Sequence, residues 1–269
     1  MYKTEILGVR IDSLPLSALL EEIDQAASSN RRMLIAHVNI TALNLAYKLP
    51  WLRQFYNQAD RVYCDGMGVM VGARLLGCSI QYRYTLADWV WPLAEMAARR
   101  GHTLFLLGNP PGAAQRAARR LQERYPALCI AGTQHGFFDK TPGSPESLRI
   151  IEHINAVNTD ILLVGFGMPL QEQWLMDHEP ILKAKATITC GALFEYVAGD
   201  LRRGPSWMTQ NYMEWLARML ISPRRYAWRY MRDIPLFYWR ILKEAFQPIH
   251  HRLPHTSQLE QPPKSPPRD

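Results

Sequence analysis

The sequence contains few cysteines and no long apolar run. Its four cysteines are scattered over 269 residues without a Cys-x-x-Cys pair, and each lies in or beside an apolar run. This spacing argues against a structural zinc site, and we expect reduced cysteines in the core and no disulfide. No apolar stretch approaches the ~18 residues of a transmembrane helix, and the first residues lack the basic-then-apolar pattern of a signal peptide. We therefore expect the protein on the cytoplasmic side of the membrane.

Two nucleotide-binding motifs are also missing. Glycines follow apolar runs at 108–112 and 165–167, but no lysine follows the first loop, which is therefore not a Walker motif. In the second loop, Leu170 takes the place of the third glycine of the Gly-x-Gly-x-x-Gly dinucleotide motif. A nucleotide-dependent oxidoreductase is thus only an alternative hypothesis, and we predict no cofactor and no metal.

Basic residues are concentrated toward the end of the chain. The net charge is +7, and residues 201–252 contain ten Lys and Arg against three Asp and Glu. This asymmetry indicates an anionic partner. Because no RNA- or DNA-binding motif accompanies it, we expect an anionic membrane surface and not nucleic acid. A basic membrane-surface module without enzymatic activity is the second alternative, and a homo-oligomer is compatible with the sequence.

Over the first 198 residues, short apolar runs alternate with segments of helical periodicity. The runs that predict strands are 6–11, 33–38, 62–64, 103–107, 128–131, 161–164 and 187–190. Most are separated by segments with apolar residues at i, i+3 and i+4, which predict helices. This order predicts an α/β, Rossmann-like core over residues 1–198, with a mostly parallel sheet and flanking helices.

The rest of the chain has a different composition. Residues 199–246 combine an apolar helical stripe with many Arg, Trp and Tyr residues, which suits an interfacial helix as well as a core helix. We predict that this segment is a helical, membrane-associating appendage. Residues 247–269 contain six prolines and no apolar run, which predicts disorder.

Asp65 stands where a predicted strand ends. The run 62–64 is followed by Asp65, Gly66 and Gly68 and then by a predicted helix over 69–76. At the carboxyl edge of a parallel sheet, such a carboxylate can face a ligand. The alternative interpretation is a helix N-cap, which would contribute about 1 kcal/mol.

A set of motifs in a fixed order resembles one family. They are Asp65-Gly-Met-Gly-Val, residues 83–88, Leu106-Leu-Gly with Pro111-Gly, Val164-Gly-Phe-Gly-Met-Pro-Leu-Gln-Glu, residues 199–205, Glu214-Trp-Leu-Ala-Arg and Pro223-Arg-Arg. Over residues 5–232 the chain resembles the WecG/TagA/CpsF family of bacterial glycosyltransferases (glycosyltransferase family 26).

The resemblance implies an inverting, metal-independent glycosyltransferase. Such enzymes move a sugar from a UDP-sugar donor to a polyprenyl diphosphate-linked saccharide acceptor during surface polysaccharide synthesis. The resemblance also implies that the C-terminal appendage attaches the enzyme peripherally to the inner face of the plasma membrane and completes the active site. The donor sugar stays open between N-acetylmannosamine, N-acetylmannosaminuronic acid and glucose.

The resemblance also assigns residues to these roles. Asp65 would be the general base, with Asn39 and His37 beside it in the catalytic centre. The predicted substrate-binding residues are Thr41, Arg83, Gly108, Gly165, Gly167, Gln171, Glu172, Arg218, Arg225 and Arg229. The last three would bind the diphosphate, because the planar guanidinium pairs with phosphate oxygens and stays charged.

Two of these positions depart from the family pattern. The family commonly has Thr-x-Asn-x-Glu where this chain has His37-Val-Asn39-Ile-Thr41. The roles of His37 and Thr41 are therefore open, and so is the identity of the donor sugar.

Overall fold

The structure is a computed structural model that describes residues 2–29, 31–202, 204, 205, 208, 214–221 and 223–246. The predicted disordered tail, residues 247–269, lies outside the described residues. The side chains of Arg218 and Arg225 are also outside this description, although both residues belong to helices.

Six parallel strands form the central sheet, which confirms the predicted α/β, Rossmann-like class. The strands are β3 (Met33–Val38), β4 (Arg61–Cys64), β5 (Thr103–Gly108), β6 (Cys129–Gln134), β7 (Ile161–Gly165) and β8 (Ala186–Thr189). Their spatial order is β4-β3-β8-β7-β5-β6. Strands β3, β5, β7 and β8 are almost entirely buried, because helices cover both faces of the sheet.

The prediction of a single strand over residues 6–11 was wrong. The chain forms an antiparallel hairpin of β1 (Tyr2–Ile6) and β2 (Val9–Ser13), which turns at Leu7 and Gly8 with φ angles of 50° and 77°. Ile6, Val9 and Ile11 are all buried, so the apolar pattern continued through the turn. The prediction that Cys129 belongs to the core was also wrong, because it is exposed on the edge strand β6.

Helices pack on both faces of the sheet. The helices of the described ranges are α1 (Leu16–Ala27), α2 (Ile40–Lys48), α3 (Pro50–Gln58), α4 (Met67–Leu75), α5 (Leu86–Arg100), α6 (Ala113–Arg124), α7 (Pro145–Ala156), α8 (Leu170–His178), α9 (Leu193–Ala198), α10 (Glu214–Ile221) and α11 (Pro223–Ala245). Buried residues of α1, α5, α6 and α9 share one apolar core, and those of α2, α3, α4, α7, α8 and α11 share the other.

Strand β8 is one of the points where connections from neighbouring strands diverge. The helix after β8 is α9, which joins the first core, whereas the helices after its neighbours β3 and β7 are α2 and α8, which join the second core. Loops that leave adjacent strands toward opposite faces open a crevice at the carboxyl edge of the sheet. The topology therefore places a cleft beside the end of β8.

Helix α11 closes this side of the molecule. Phe237 and Ile241 are fully buried, and Phe237 packs against Gly72 of α4. Arg240 is also buried; its Nη1 donates to the carbonyl and side-chain oxygens of Asn44 at 2.8 and 2.9 Å, and its guanidinium lies over the ring of Tyr47. In the described part of the chain, no helix combines the length and the apolar character needed to cross a membrane.

The contact between the ends of β5 and β7 leads to a prediction for stability. A Cβ on Gly108, which has a φ of 135°, would overlap the carbonyl oxygen of Gly165. We expect Gly108→Ala to lower the free energy of unfolding by about 3 kcal/mol or more, because backbone strain and overlap add. The control is Gly77→Ala, since Gly77 has a φ of 75° and open space around it; its cost should be only about 1–2 kcal/mol. Equal losses in urea titrations would contradict this interpretation of Gly108.

Candidate active site

The polar residues predicted at the strand ends converge at one edge of the sheet. Val38 and Cys64 are register partners on β3 and β4, so Asn39 and Asp65 follow them side by side. The amide N–H of Asp65 donates to the carbonyl of Val38 at 2.8 Å. The parallel ladder thus brings together two residues that are far apart in sequence.

Two adjoining cavities meet at these residues. The first, here the sheet-edge cavity, has a volume of about 390 Å³ and lies between His37, Tyr63, residues 167–169, residues 190–193 and Tyr196. The second, here the helix-covered cavity, has a volume of about 360 Å³ and lies under α11, between residues 66–68, Val71, Arg83, Tyr230, Ile234 and Tyr238. Both are lined by Asn39, Thr41, Asp65 and Arg229.

Asp65 is not a helix cap, so the alternative interpretation of this residue was wrong. The N-cap of α4 is Gly66, which has a φ of 139°, and no side chain accepts a cap hydrogen bond there. The carboxylate is partly exposed and lines both cavities. Its charge also affects its neighbour: burial and, to a smaller extent, the charge of Asp65 raise the pKa of the Cys64 thiol to about 12, although the charge of Arg83 acts in the opposite direction. The opposite charges of Asp65 and Arg83 therefore both act near the end of β4.

Asn39 is the residue that does cap a helix. Its Oδ1 accepts a hydrogen bond from the backbone N–H of Ala42 at 3.0 Å, at the start of α2. This bond orients the amide and leaves Nδ2 available as a donor, since it has no hydrogen-bond partner among the described residues. Asn39 can therefore offer an N–H to a ligand in either cavity.

His37 is buried at the base of the sheet-edge cavity. Its Nδ1 lies 3.1 Å from both the carbonyl and the hydroxyl oxygen of Thr189, and its ring lies 6.0 Å from that of Tyr63. Because a carbonyl can only accept, this contact favours the tautomer with the proton on Nδ1. In the neutral ring, Nε2 is then the hydrogen-bond acceptor.

Thr41 connects the site to helix α11. Its hydroxyl donates to Oδ2 of Asp233 at 2.8 Å, and Oδ1 of the same buried carboxylate accepts from Nε of Arg232 at 2.9 Å. The backbone carbonyl of Asp233 accepts from Nδ2 of Asn44 at 2.8 Å. Thr41 therefore lines both cavities and also holds the helix that covers one of them.

Cationic side chains come from two parts of the chain. Arg83 lines the helix-covered cavity, Arg232 lines the sheet-edge cavity and Arg229 lines both. Arg218 and Arg225 lie on α10 and α11, but their side chains lie outside the description. Within the described ranges, no group of three or more His, Cys, Asp and Glu has a metal-binding arrangement.

Of the predicted substrate-binding residues in the two glycine loops and at the start of α8, only Gly167 lines a described cavity. Gly108, Gly165, Gln171 and Glu172 are buried and line none of the described cavities. A Cβ on Gly165 would overlap the carbonyl of Gly191, so this glycine permits contact between two loops of the protein. These four residues can therefore affect a ligand only through the residues that they contact.

Glu172 is a buried acid with an unusual environment. Its Oε1 accepts from Nε2 of Gln171 at 2.8 Å and from the hydroxyl of Tyr56 at 3.3 Å. Its Oε2 has no hydrogen-bond partner in the described part of the chain. Burial raises the pKa of Glu172 to about 7, although the bonds from Gln171 and Tyr56 act in the opposite direction.

Sequence reasoning missed several residues of the site. Tyr230, Ile234 and Tyr238 of α11 complete the helix-covered cavity, and their helical spacing was the available signal. Asn109 was also missed: it has a φ of 57° in the loop after β5, and its buried amide bonds to the loops after β7 and β8. The only local signal for Asn109 was an asparagine beside a Gly-Pro turn.

The raised pKa of Glu172 predicts a pH dependence of stability. Between pH 4.5, the ordinary pKa, and about pH 7, the folded protein binds more protons than the unfolded chain. The contribution of Glu172 to the free energy of unfolding therefore falls as the pH rises through this window and is level above it. As the pH rises through this window, the free energy of unfolding of Glu172→Gln should increase relative to that of wild type by up to roughly 3 kcal/mol. Urea titrations at a series of pH values measure this difference.

The matched control is Glu123→Gln, which replaces an exposed glutamate on α6. The difference between this control and wild type should not change with pH. A constant difference between Glu172→Gln and wild type would contradict the assigned pKa.

Comparison with known proteins identifies the family. A family model described as "Glycosyl transferase WecG/TagA/CpsF family" matches residues 4–251. Similar curated proteins include the N-acetylglucosaminyldiphosphoundecaprenol N-acetyl-beta-D-mannosaminyltransferases of Staphylococcus aureus strains MRSA252 and NCTC 8325. Each is 28% identical over 243 residues, which cover 90% of this chain and 92% of the relative. The chain therefore belongs to the WecG/TagA/CpsF family of glycosyl transferases, as the ordered motifs predicted.

Proposed function

We propose that this protein is an inverting glycosyltransferase that moves a sugar from a UDP-sugar to a polyprenyl diphosphate-linked saccharide, in surface polysaccharide synthesis. One observation carries the proposal: a carboxylate, Asp65, lies where two adjoining cavities meet, and the cation Arg229 lines both. Two substrates could therefore meet at one base. The names of the relatives make N-acetylmannosamine the first sugar to test, ahead of its uronic acid and glucose.

We assign the sheet-edge cavity to the nucleotide-sugar and the helix-covered cavity to the acceptor. The first lies at the carboxyl edge of β3, β8 and β7, where open α/β sheets bind their ligands. The second is lined by Ile40, Val71 and Ile234, whose apolar side chains suit an isoprenoid, and by Arg83, whose charge suits its diphosphate. Its cover, α11, is the element that would approach the membrane.

In the proposed reaction, Asp65 accepts the proton of the acceptor hydroxyl. The hydroxyl oxygen forms a bond to C1 of the donor sugar as the bond from C1 to the UDP oxygen breaks on the opposite face, so the configuration inverts. UDP leaves with the electron pair of the broken bond. In this proposal, Arg229, which lines the cavity, balances the negative charge that grows on the diphosphate, and the oriented amide of Asn39 donates to a substrate oxygen.

Helix α11 also carries a feature suited to the surface of a membrane. Its exposed large apolar residues are Trp228, Met231, Trp239, Leu242 and Phe246, the last just beyond the helix end. At 100° per residue they fall on one face, opposite Phe237 and Ile241, along about 27 Å of helix. Arg232 and Lys243 are exposed beside this face. We propose that this exposed stripe attaches the enzyme peripherally to the anionic cytoplasmic face of the plasma membrane.

Asp65→Asn tests the assignment of the base. We expect a fall in kcat of about 10²–10⁴-fold, since the amide cannot take a proton, with an unchanged unfolding midpoint. The assay measures UDP release from a panel of UDP-sugars with polyprenyl diphosphate-linked N-acetylglucosamine or glucose as the acceptor. Asp139→Asn, a change in an exposed loop, should keep wild-type turnover. Turnover of Asp65→Asn near the wild-type value would exclude Asp65 as the base.

The exposed stripe can be tested without disturbing the buried face of α11. In Trp228→Gln/Trp239→Gln, two exposed rings are replaced, and binding to anionic vesicles should weaken by at least about tenfold. Sedimentation with vesicles measures the bound fraction. The control is Phe137→Gln, which removes an equally exposed ring from the loop after β6. If both variants sediment as wild type does, α11 is not the attachment site.

A further inference from the structure

Two buried amides hold Gly191 from opposite sides. Nδ2 of Asn109 donates to the carbonyl oxygen of Gly191 at 2.7 Å, and the N–H of Gly191 donates to Oε1 of Gln171 at 3.1 Å. Gly191 has a φ of 55° and, with Ala192 and Leu193, lines the sheet-edge cavity. Both polar backbone groups of one cavity-lining residue are thus bound by side chains that do not line that cavity.

Both N–H groups of the Asn109 side-chain amide are used within the protein. Besides Gly191, its Nδ2 donates to the carbonyl of Gly165 at 2.7 Å, and its Oδ1 accepts from the N–H of Glu195 at 3.1 Å. These partners fix the orientation of the amide, because a carbonyl cannot donate and an N–H cannot accept. Asn109 therefore joins the ends of β7 and β8 and the first turn of α9.

The Gln171 amide is oriented by its contact with Gly191. The N–H of Gly191 can only donate, so it keeps Oε1 of Gln171 toward itself, and Nε2 donates to Oε1 of Glu172 at 2.8 Å. These two contacts fix the orientation of the amide. Tyr56 donates to the same carboxylate oxygen from α3. The chain of hydrogen bonds thus runs from α3 through Glu172 and Gln171 to the lining of the cavity.

We propose that Asn109, Gln171 and Glu172 are positioning residues that hold residues 191–193 in the geometry that binds the nucleotide-sugar. The three side chains act through Gly191 and not by contact with the substrate. This inference rests on the proposed function, which assigns the sheet-edge cavity to the donor. It predicts that loss of the hydrogen bonds from these side chains to Gly191 raises the KM for the donor. The kcat at saturating donor and the KM for the acceptor should stay near the wild-type values.

Single and paired exchanges test the direction of these hydrogen bonds. Assayed well above pH 7, where Glu172 is ionised, Gln171→Glu places a carboxylate oxygen against Oε1 of Glu172, so the side chain should turn away from Gly191. We expect the KM for the donor to rise by about tenfold, the equivalent of one lost hydrogen bond. In the exchanged pair Gln171→Glu/Glu172→Gln, the carboxylate at position 171 can accept from the N–H of Gly191 and from the amide at position 172. The second N–H of that amide can donate to the hydroxyl of Tyr56. The donor KM should then return to within about threefold of wild type, as expected for coupled neighbours.

The matched control is Gln173→Glu on the same helix. Nε2 of Gln173 donates to Oδ1 of Asp177 at 2.9 Å, so this change also places a carboxylate against a carboxylate, but no hydrogen bond in the described part of the chain joins Gln173 to Gly191. Its donor KM should stay at the wild-type value. If Gln171→Glu does not fold, Gln171→Met keeps the volume, adds no charge and should raise the donor KM in the same way.

Two measurements separate this inference from the proposed function. Calorimetric titration of each full-length variant with UDP should show the same loss and recovery of affinity as the donor KM. If wild type uses a UDP-sugar but the exchanged pair is no better than Gln171→Glu, or if kcat falls and the donor KM does not rise, the positioning role is wrong. If wild type neither binds UDP nor releases it from any donor, the proposed function fails, and this inference fails with it.

Discussion

The cleft depends on a contact between backbones at the carboxyl edge of the sheet. A side chain on Gly108 would overlap the carbonyl of Gly165, and a side chain on Gly165 would overlap that of Gly191. The absence of these side chains brings three loops close enough for one amide, Asn109, to bind two of their carbonyl groups. Buried carbonyls without partners are costly, so the amide and the glycines depend on each other. Together they determine where the loop after β8 can lie.

Helix α2 links this cleft to α11, the helix that covers the adjoining cavity. Its N-cap, Asn39, lies between the two cavities; Thr41 in its first turn binds Asp233 of α11, and Asn44 binds both Asp233 and Arg240. A covering helix held by buried polar contacts has a defined position, because each partner would otherwise be left unpaired. The position of Arg229 at the two cavities that Asp65 also lines follows from these contacts.

Much of the fold follows from local patterns. The prediction of the strand over 33–38 matched β3 at both ends, because a strand covered on both faces is an unbroken apolar run. Two of the errors have local causes. The hairpin at Leu7 and Gly8 was missed because apolar residues continue through its turn. The cap interpretation of Asp65 was wrong because Asp65 stands one residue before the N-cap position. A glycine with a φ of 139° separates it from the helix and leaves the carboxylate at the cleft.

The sequence by itself determined the family, the alternation of strands and helices, and the placement of His37, Asn39 and Asp65 at strand ends, since these depend on residue order and local periodicity. Only the tertiary structure decided which predicted site residues line a cavity. Gln171 and Glu172 follow Gly167 closely in sequence, but Gly167 lines the cleft and the other two are buried beneath it. Their burial depends on Tyr56 and Gly191, which are distant in the chain. A local pattern carries no information about such contacts, because strand order and loop packing create them.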